Sequence, residues 1–287
     1  MNNWRRFAIL PVALFTLAAC QGSAEITNVV CVGEATTYLD WLNGDHQPDE
    51  ADPTTEASEE GDLLATVRER GTLLISTDAN YEPQSFLQPD GSFVGFDIDV
   101  GTEIAERLGV EAEFMHVDWD AITAGNWSGR WDISVGSMTI TTPRKEILSF
   151  TQPYYYAPAY LAASERSGVD GVDDLDFDLP DGAEATTLST DANCIEAIEA
   201  GRSEFDLVIT SGTVIDGAIE AESPIVKIGD PIFTENLAVA LDKSGETHDA
   251  LLYEIDRIIG EMHADGTLTE LSEQWFDADL TQDPSGS

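Results

Sequence analysis

Basic side chains are scarce in this chain. Thirteen lysines and arginines stand against 55 acidic residues, a formal net charge of −42. Phosphate recognition needs clustered Lys and Arg, so nucleic acid is excluded as a partner. Histidine is sparse too: His46, His116, His248 and His263 are scattered, and none has the spacing of a metal ligand set. Neither a Gly-x-Ser-x-Gly elbow nor a phosphate-binding glycine loop occurs. Asp174, Asp176 and Asp178 alternate, but without the glycine and glutamate of a calcium loop they read as a solvated acidic loop. The sequence therefore calls for no catalytic residue, no metal and no cofactor. Its hydrophobic content of 42% is ordinary for a globular protein, and 287 residues can hold two lobes with real cores.

No apolar stretch at the start is long enough to span a bilayer. Arg5 and Arg6 precede an apolar run over residues 7–19, which fits a signal-peptide core instead. The run ends in Leu17-Ala18-Ala19-Cys20, which resembles a bacterial lipobox. On that reading residues 1–19 are a signal peptide, residues 20–28 an anchor, and Cys20 the lipidated first residue, holding the protein outside the cytoplasm at the membrane face. Residues 26–42 read as strand, turn and helix, around Val29-Val30-Cys31-Val32 and Tyr38-Leu39-Asp40-Trp41-Leu42. Residues 43–62 carry Pro, Asp, Glu, Ser and Thr with almost no apolar residue, the composition of a linker.

The most informative stretch is Gly95 to Gly109. Phe96, Ile98 and Val100 alternate with two aspartates as a strand approach would. From Val100 the period changes to four, through Ile104 and Leu108, and Gly109 stops the helix. Val110 to Phe114 then gives another strand, a β-to-α-to-β unit with short connections. Farther on, Thr142-Pro143-Arg144 opens a helix, with Thr142 as its cap and Pro143 in the first turn. The hydroxyl-rich strand exit around Ser137 and Thr139, a helix N-terminus and an arginine fork together make a carboxylate receptor; a surface ion pair is the plainer use of Arg144. Trp119, Trp127 and Trp131 crowd one region, as core tryptophans do, with Trp131 expected on a strand with Ile133 and Val135.

From about Asp62 onward the chain resembles the solute-binding proteins that deliver polar amino acids to ABC importers, and the Gly95–Gly109 signature matches that family residue for residue. The resemblance implies an α/β, two-lobed type II periplasmic-binding fold whose lobes are hinged on two crossing strands. Lobe one would cover residues 63–162 and lobe two residues 163–230, with a return to lobe one over 231–280 and a tail at 281–287. It also implies that Asp78 meets a polar or cationic ligand group, Tyr81 packs on the ligand, Trp119 forms a wall, and Ser137, Thr139 and Arg144 hold an α-carboxylate. An Asx-turn for Asp78 and a core place for Tyr81 are the structural alternatives. Where relatives carry an aspartate for the α-ammonium, this chain has Ser211, which supplies no charge.

In that family a strand followed by Gly-x-x-Thr-Thr opens the second lobe, and no such motif follows the first crossing here. The motif lies at Gly33 to Thr37 instead, and a lobe of residues 163–230 is short for a domain. Residues 29–42 are therefore expected to dock in lobe two out of sequence order, placing Thr37 at the ligand carboxylate; Thr37 as a cap of its own helix is the alternative. With Cys20 lipidated, Cys31 and Cys194 either pair outside the cytoplasm or stay as two free thiols.

The reading is a monomeric, lipid-anchored receptor for an amino acid or similar small carboxylate, handing it to the membrane permease of an importer. A secreted cyclohexadienyl dehydratase-like enzyme on the same fold is the alternative. The surplus of acids reads as a halophilic-type surface whose repulsion is screened by counterions. The melting temperature is expected to rise from low to molar KCl; a midpoint indifferent to salt would contradict that reading.

Overall fold

A computed structural model describes residues 29–32, 61–169, 171, 184–187, 190–202 and 205–284. One eight-stranded sheet runs through both lobes in the order β6-β2-β7-β11-β8-β10-β1-β9. Its strands are β1 (Val29–Val32), β2 (Thr72–Thr77), β6 (Glu111–His116), β7 (Ile133–Thr139), β8 (Leu148–Ser164), β9 (Glu184–Thr187), β10 (Leu207–Ser211) and β11 (Ile225–Asp242). A small antiparallel sheet holds β3 (Asn80–Tyr81), β4 (Ser85–Leu87) and β5 (Phe93–Val94). The helices are α1 (Leu63–Arg70), α2 (Phe96–Leu108), α3 (Trp119–Thr123), α4 (Thr142–Lys145), α5 (Asp191–Glu199), α6 (Gly212–Glu220), α7 (Asp249–Asp265) and α8 (Thr267–Phe276). Among the described residues, no helix is long and apolar enough to cross a membrane.

The first core packs Leu73 and Ile75 of β2, Val100 and Ile104 of α2, and Ile255, Ile258 and Ile259 of α7 into one cluster. The second lobe has two smaller clusters on opposite faces of its sheet, one around Leu161, Leu207 and Ile209, the other around Ile198, Phe205 and Val208. β8 and β11 pair antiparallel from one lobe into the other. Both run continuously through the passage between the lobes. Tyr154 to Pro158 and Ile225 to Phe233 lie inside them, because each strand's neighbours change from one lobe's sheet to the other's without a break. β1 lies parallel between β10 and β9, in the second lobe's part of the sheet.

Two sequence expectations need correction, one in the signature stretch and one at Trp131. Phe96 to Val100 is the first turn of α2 and not a strand approach. The alternation misleads because α2 is covered on several sides: Phe96, Asp97, Ile98, Val100, Gly101 and Ile104 are all buried. Gly95 caps the helix at φ +133°, and a Cβ there would strike the backbone carbonyl of Gln84, so only glycine fits. Trp131 is buried but lies just before β7 and not within it.

Asp97 is the buried anchor of that turn. Its carboxylate accepts the Ser137 hydroxyl at 3.0 and 2.9 Å and the Tyr154 hydroxyl at 2.6 Å. The Tyr155 hydroxyl donates to Ser137 Oγ at 2.8 Å, and Tyr154 Oη accepts the Ser137 N–H at 2.8 Å. Burial raises the Asp97 carboxyl to about 7, against the pull of the Tyr154 and Ser137 hydroxyls. Asp62, at the end of the acidic linker, is a second anchor. It accepts from Leu64 N at 3.0 Å, capping α1, and from Ala250 N and Leu251 N at 3.1 and 3.2 Å, holding the start of α7.

Asp62→Ala is expected to lower stability by roughly 2–3 kcal/mol, because two helix starts lose their acceptor, and Asp62→Asn by much less; urea unfolding checks this. For Asp97 the folded state binds the proton more tightly than the unfolded chain. Its stabilising contribution is complete at acid pH and is lost as pH rises from about 4 to about 7. Asp97→Asn, which cannot ionise, should therefore gain on the parent across that window, and parallel pH–stability curves for the two would refute the assignment.

Candidate functional site

The lobes face each other across the carboxyl ends of parallel strands. β2 pairs parallel with β6 and β7 on one side, and β10 and β9 pair parallel with β1 on the other. Loops leaving such ends are where open α/β sheets bind small molecules. A cleft of about 630 Å³ opens there. Asp78, Asn80, Asp118, Trp119, Asp120 and Ala121 line it from the first lobe, and Thr190, Ala192, Asn193 and Glu196 from the second. A narrower recess continues between Tyr81, Trp119, Gly136, Thr190 and Asp191.

Local chemistry explains the placements. Asp78 follows β2 and forms an Asx-turn, its Oδ1 accepting Asn80 N at 3.0 Å and Asn80 Nδ2 at 3.2 Å. His116 Nδ1 accepts the Ala79 N–H at 3.1 Å, which pins the same loop to the end of β6. Trp119 opens α3 and is buried to 8% exposure while still lining the cleft. The cap of α4 is Thr141, not Thr142, which is already the first helical residue; the Thr141 hydroxyl accepts the Arg144 N–H at 3.4 Å, with Pro143 in the first turn. That turn carries the Arg144 side chain inward. Its guanidinium carbon lies 5.5 Å from the centre of the Trp119 ring, and Nη1 donates to Thr139 O at 3.0 Å. Arg144 is 8% exposed.

Of the residues predicted to bind a ligand, Asp78, Tyr81 and Trp119 line the cleft or its recess, and Arg144 lies against Trp119. The Ser137 hydroxyl instead turns into the core, onto Asp97. Thr139 Oγ1 donates to Glu235 Oε1 at 2.9 Å. Ser211 Oγ shares a 2.6 Å hydrogen bond with Thr213 Oγ1, which also accepts Gln84 Nε2 at 2.8 Å and so ties the two lobes together. Thr37 and Cys20 lie outside the described residues. Cys194 is disulfide-bonded.

Several lining residues escape a reading by motif. Asp118 and Asp120 flank Trp119 in sequence, where the tryptophan takes the attention. Asn193 and Glu196 recur at helical spacing after Thr190, the cap of α5, so one face of that helix looks into the cleft. Four of the ten residues lining the wider cleft are acids and none is basic, which makes it a cation-attracting space. Among the described residues no group of His, Cys, Asp and Glu could hold a metal ion.

Residues 73–278 match the family described as bacterial extracellular solute-binding proteins, family 3. The L-cystine-binding protein TcyJ of Escherichia coli K12 is 29% identical over 240 residues, covering 77% of this chain and 88% of that one. The L-cystine-binding protein TcyA of Bacillus subtilis is 26% identical over 245 residues, covering 78% and 88%. Among solved structures, an ancestral amino acid-binding protein described as a precursor of cyclohexadienyl dehydratase is 28% identical with a TM-score of 0.63, covering 75% of this chain and 99% of its own. A substrate-binding protein of an ABC uptake transporter from Streptococcus pneumoniae, solved with histidine, shares the fold at a TM-score of 0.66 and 22% identity, covering 78% and 100%. The two-lobed architecture is the type II periplasmic-binding fold, and the chain belongs to the family 3 extracellular solute-binding proteins.

Proposed function

We propose that this protein is an extracytoplasmic receptor, anchored through a lipid on Cys20, that captures a free amino acid between its lobes and presents it to an ABC importer. The observation that carries the reading is Arg144, buried against the Trp119 ring, which itself lines an acid-lined cleft between two lobes. The threonine-capped turn and the Thr139 carbonyl hold the guanidinium in place, so its fork is pre-organised for a carboxylate. Tyr81 and Trp119 supply the apolar walls, and Asp78 with the rim acids supplies the field that an α-ammonium meets. Ser211 takes no charged part in this, so the counter-charge comes from Asp78, Asp118 and Asp120 of the first lobe and Glu196 of the second. The displaced Thr37 completes the carboxylate shell from the second lobe. Closure about β8 and β11 removes water from these contacts together. The same field disfavours a second negative charge on the ligand, so aspartate and glutamate rank lowest among the amino acids.

The enzyme reading draws on the neighbour described as a dehydratase precursor; turnover of prephenate or arogenate would select it. For the receptor, a thermal-shift panel of the twenty amino acids with L-cystine and L-ornithine is expected to show at least one ligand raising the midpoint by several degrees, since ligand at 100 times its Kd adds about 2.7 kcal/mol. Arg144→Ala should then cost about 100-fold or more in affinity by calorimetry, because the bound ligand's carboxylate would be buried without its cationic donor. Full affinity in that variant would remove Arg144 from the ligand. Membrane association should be lost in Cys20→Ala.

A further inference from the structure

β1 enters its sheet from far ahead of the elements it pairs with. On one side Val30, Cys31 and Val32 lie opposite Leu207, Val208 and Ile209 of β10. On the other, Val29 to Val32 lie opposite Glu184 to Thr187 of β9. All three strands run the same way, so their carboxyl ends share one edge, and that edge leads into the second wall of the cleft. Thr190 follows β9 and caps α5, whose first turns line the cleft. Ser211 ends β10 and opens α6, whose Thr213 reaches Gln84 on the first lobe. Without β1, β10 would keep only β8 as a neighbour, and β9 would have none among the described strands. α5 packs against β1, and its buried Cys194 is disulfide-bonded in a chain whose other cysteines are Cys20 and Cys31.

We propose that β1 is a positioning element of the ligand cleft: a strand donated from ahead of the first lobe that sets the spacing of β9 and β10, clasped by a disulfide between Cys31 and Cys194. The acidic linker makes the donation intramolecular, and the entropic cost of closing such a loop grows only slowly with its length. The crosslink keeps the strand local to its slot when the sheet breathes. This concerns how the second wall is built, and it stands or falls independently of which solute the receptor takes.

The full chain is tested by peptide mapping without reductant and by hydrogen–deuterium exchange. Mapping should return residues around Cys31 covalently joined to residues around Cys194; both as free thiols would overturn the clasp. Val30→Pro takes an N–H out of a strand paired on both sides. Exchange at residues 190–196 and 207–213 should accelerate at least tenfold while β2 and β6 keep parental rates. Unchanged exchange over those two segments would overturn the positioning role. If Val30→Pro does not fold, the same readout is taken on full-length protein with a protease site placed in residues 43–60. It is folded, cut and treated with dithiothreitol, whose two thiols are oxidised to a disulfide as the protein's is reduced to two thiols. Exchange should rise tenfold on dilution and return when a synthetic peptide of residues 25–42 is added. Exchange that neither rises on dilution nor responds to the peptide would overturn the proposal.

Discussion

The antiparallel pairing of β8 with β11 is the constraint on which the rest of the molecule hangs. These are the two described strands that belong to both lobes, and each borders a different set of neighbours at its two ends. The ladder is irregular at one place between the lobes: Ile228 faces Leu161, yet Phe233 faces Ala159. Residues 229–232 therefore bulge against a single residue of β8, and Gly229 sits at φ +66°. A bulge of this kind breaks the hydrogen-bond register and increases local twist. The lobes are joined there by two thin ribbons, whose backbone torsions can absorb a rotation without disturbing either core.

Near that joint, one polar link between the lobes is made by neutral groups. Gln84, Thr213 and Ser211 form a relay from the first lobe to the second. A carboxylate in place of Ser211, which is 1% exposed, would be desolvated among hydroxyls in a chain already carrying a large negative surplus. Asp97 shows what such a group requires. Three hydroxyl contacts and the first turn of α2 surround it, and burial still drives its carboxyl up to about 7.

Much of the framework was legible because it follows from spacing. The four-residue period of Val100, Ile104 and Leu108, the stop at Gly109 and the Thr-Pro-Arg turn at α4 are local signals, and each element formed where local physics puts it. What was not legible depends on contacts distant in sequence. Alternation at Phe96, Ile98 and Val100 mimics a strand only because α2 is covered on several sides by elements more than a hundred residues away. Ser137 lies in a hydroxyl-rich exit, but the partner that claims its hydroxyl is Asp97, forty residues earlier. Asp62 belongs to the linker by composition and to two helix starts by geometry, since one of its partners is the N-terminus of α7.

The cleft divides its electrostatics into an exposed part and a buried part, and salt acts on them unequally. Asp118, Asp120 and Glu196 sit on the solvated rim, whereas Arg144 lies under Trp119. At molar ionic strength the screening length falls to about 3 Å, so rim charges act on a ligand only at contact. A desolvated guanidinium–carboxylate pair is screened far less, because water and ions are excluded from it when the lobes close. In the proposed receptor the rim would govern the rate of capture at low salt, and Arg144 the residence of the ligand at any salt. The chain's large acidic surplus would then act on capture without dictating how tightly the solute is held.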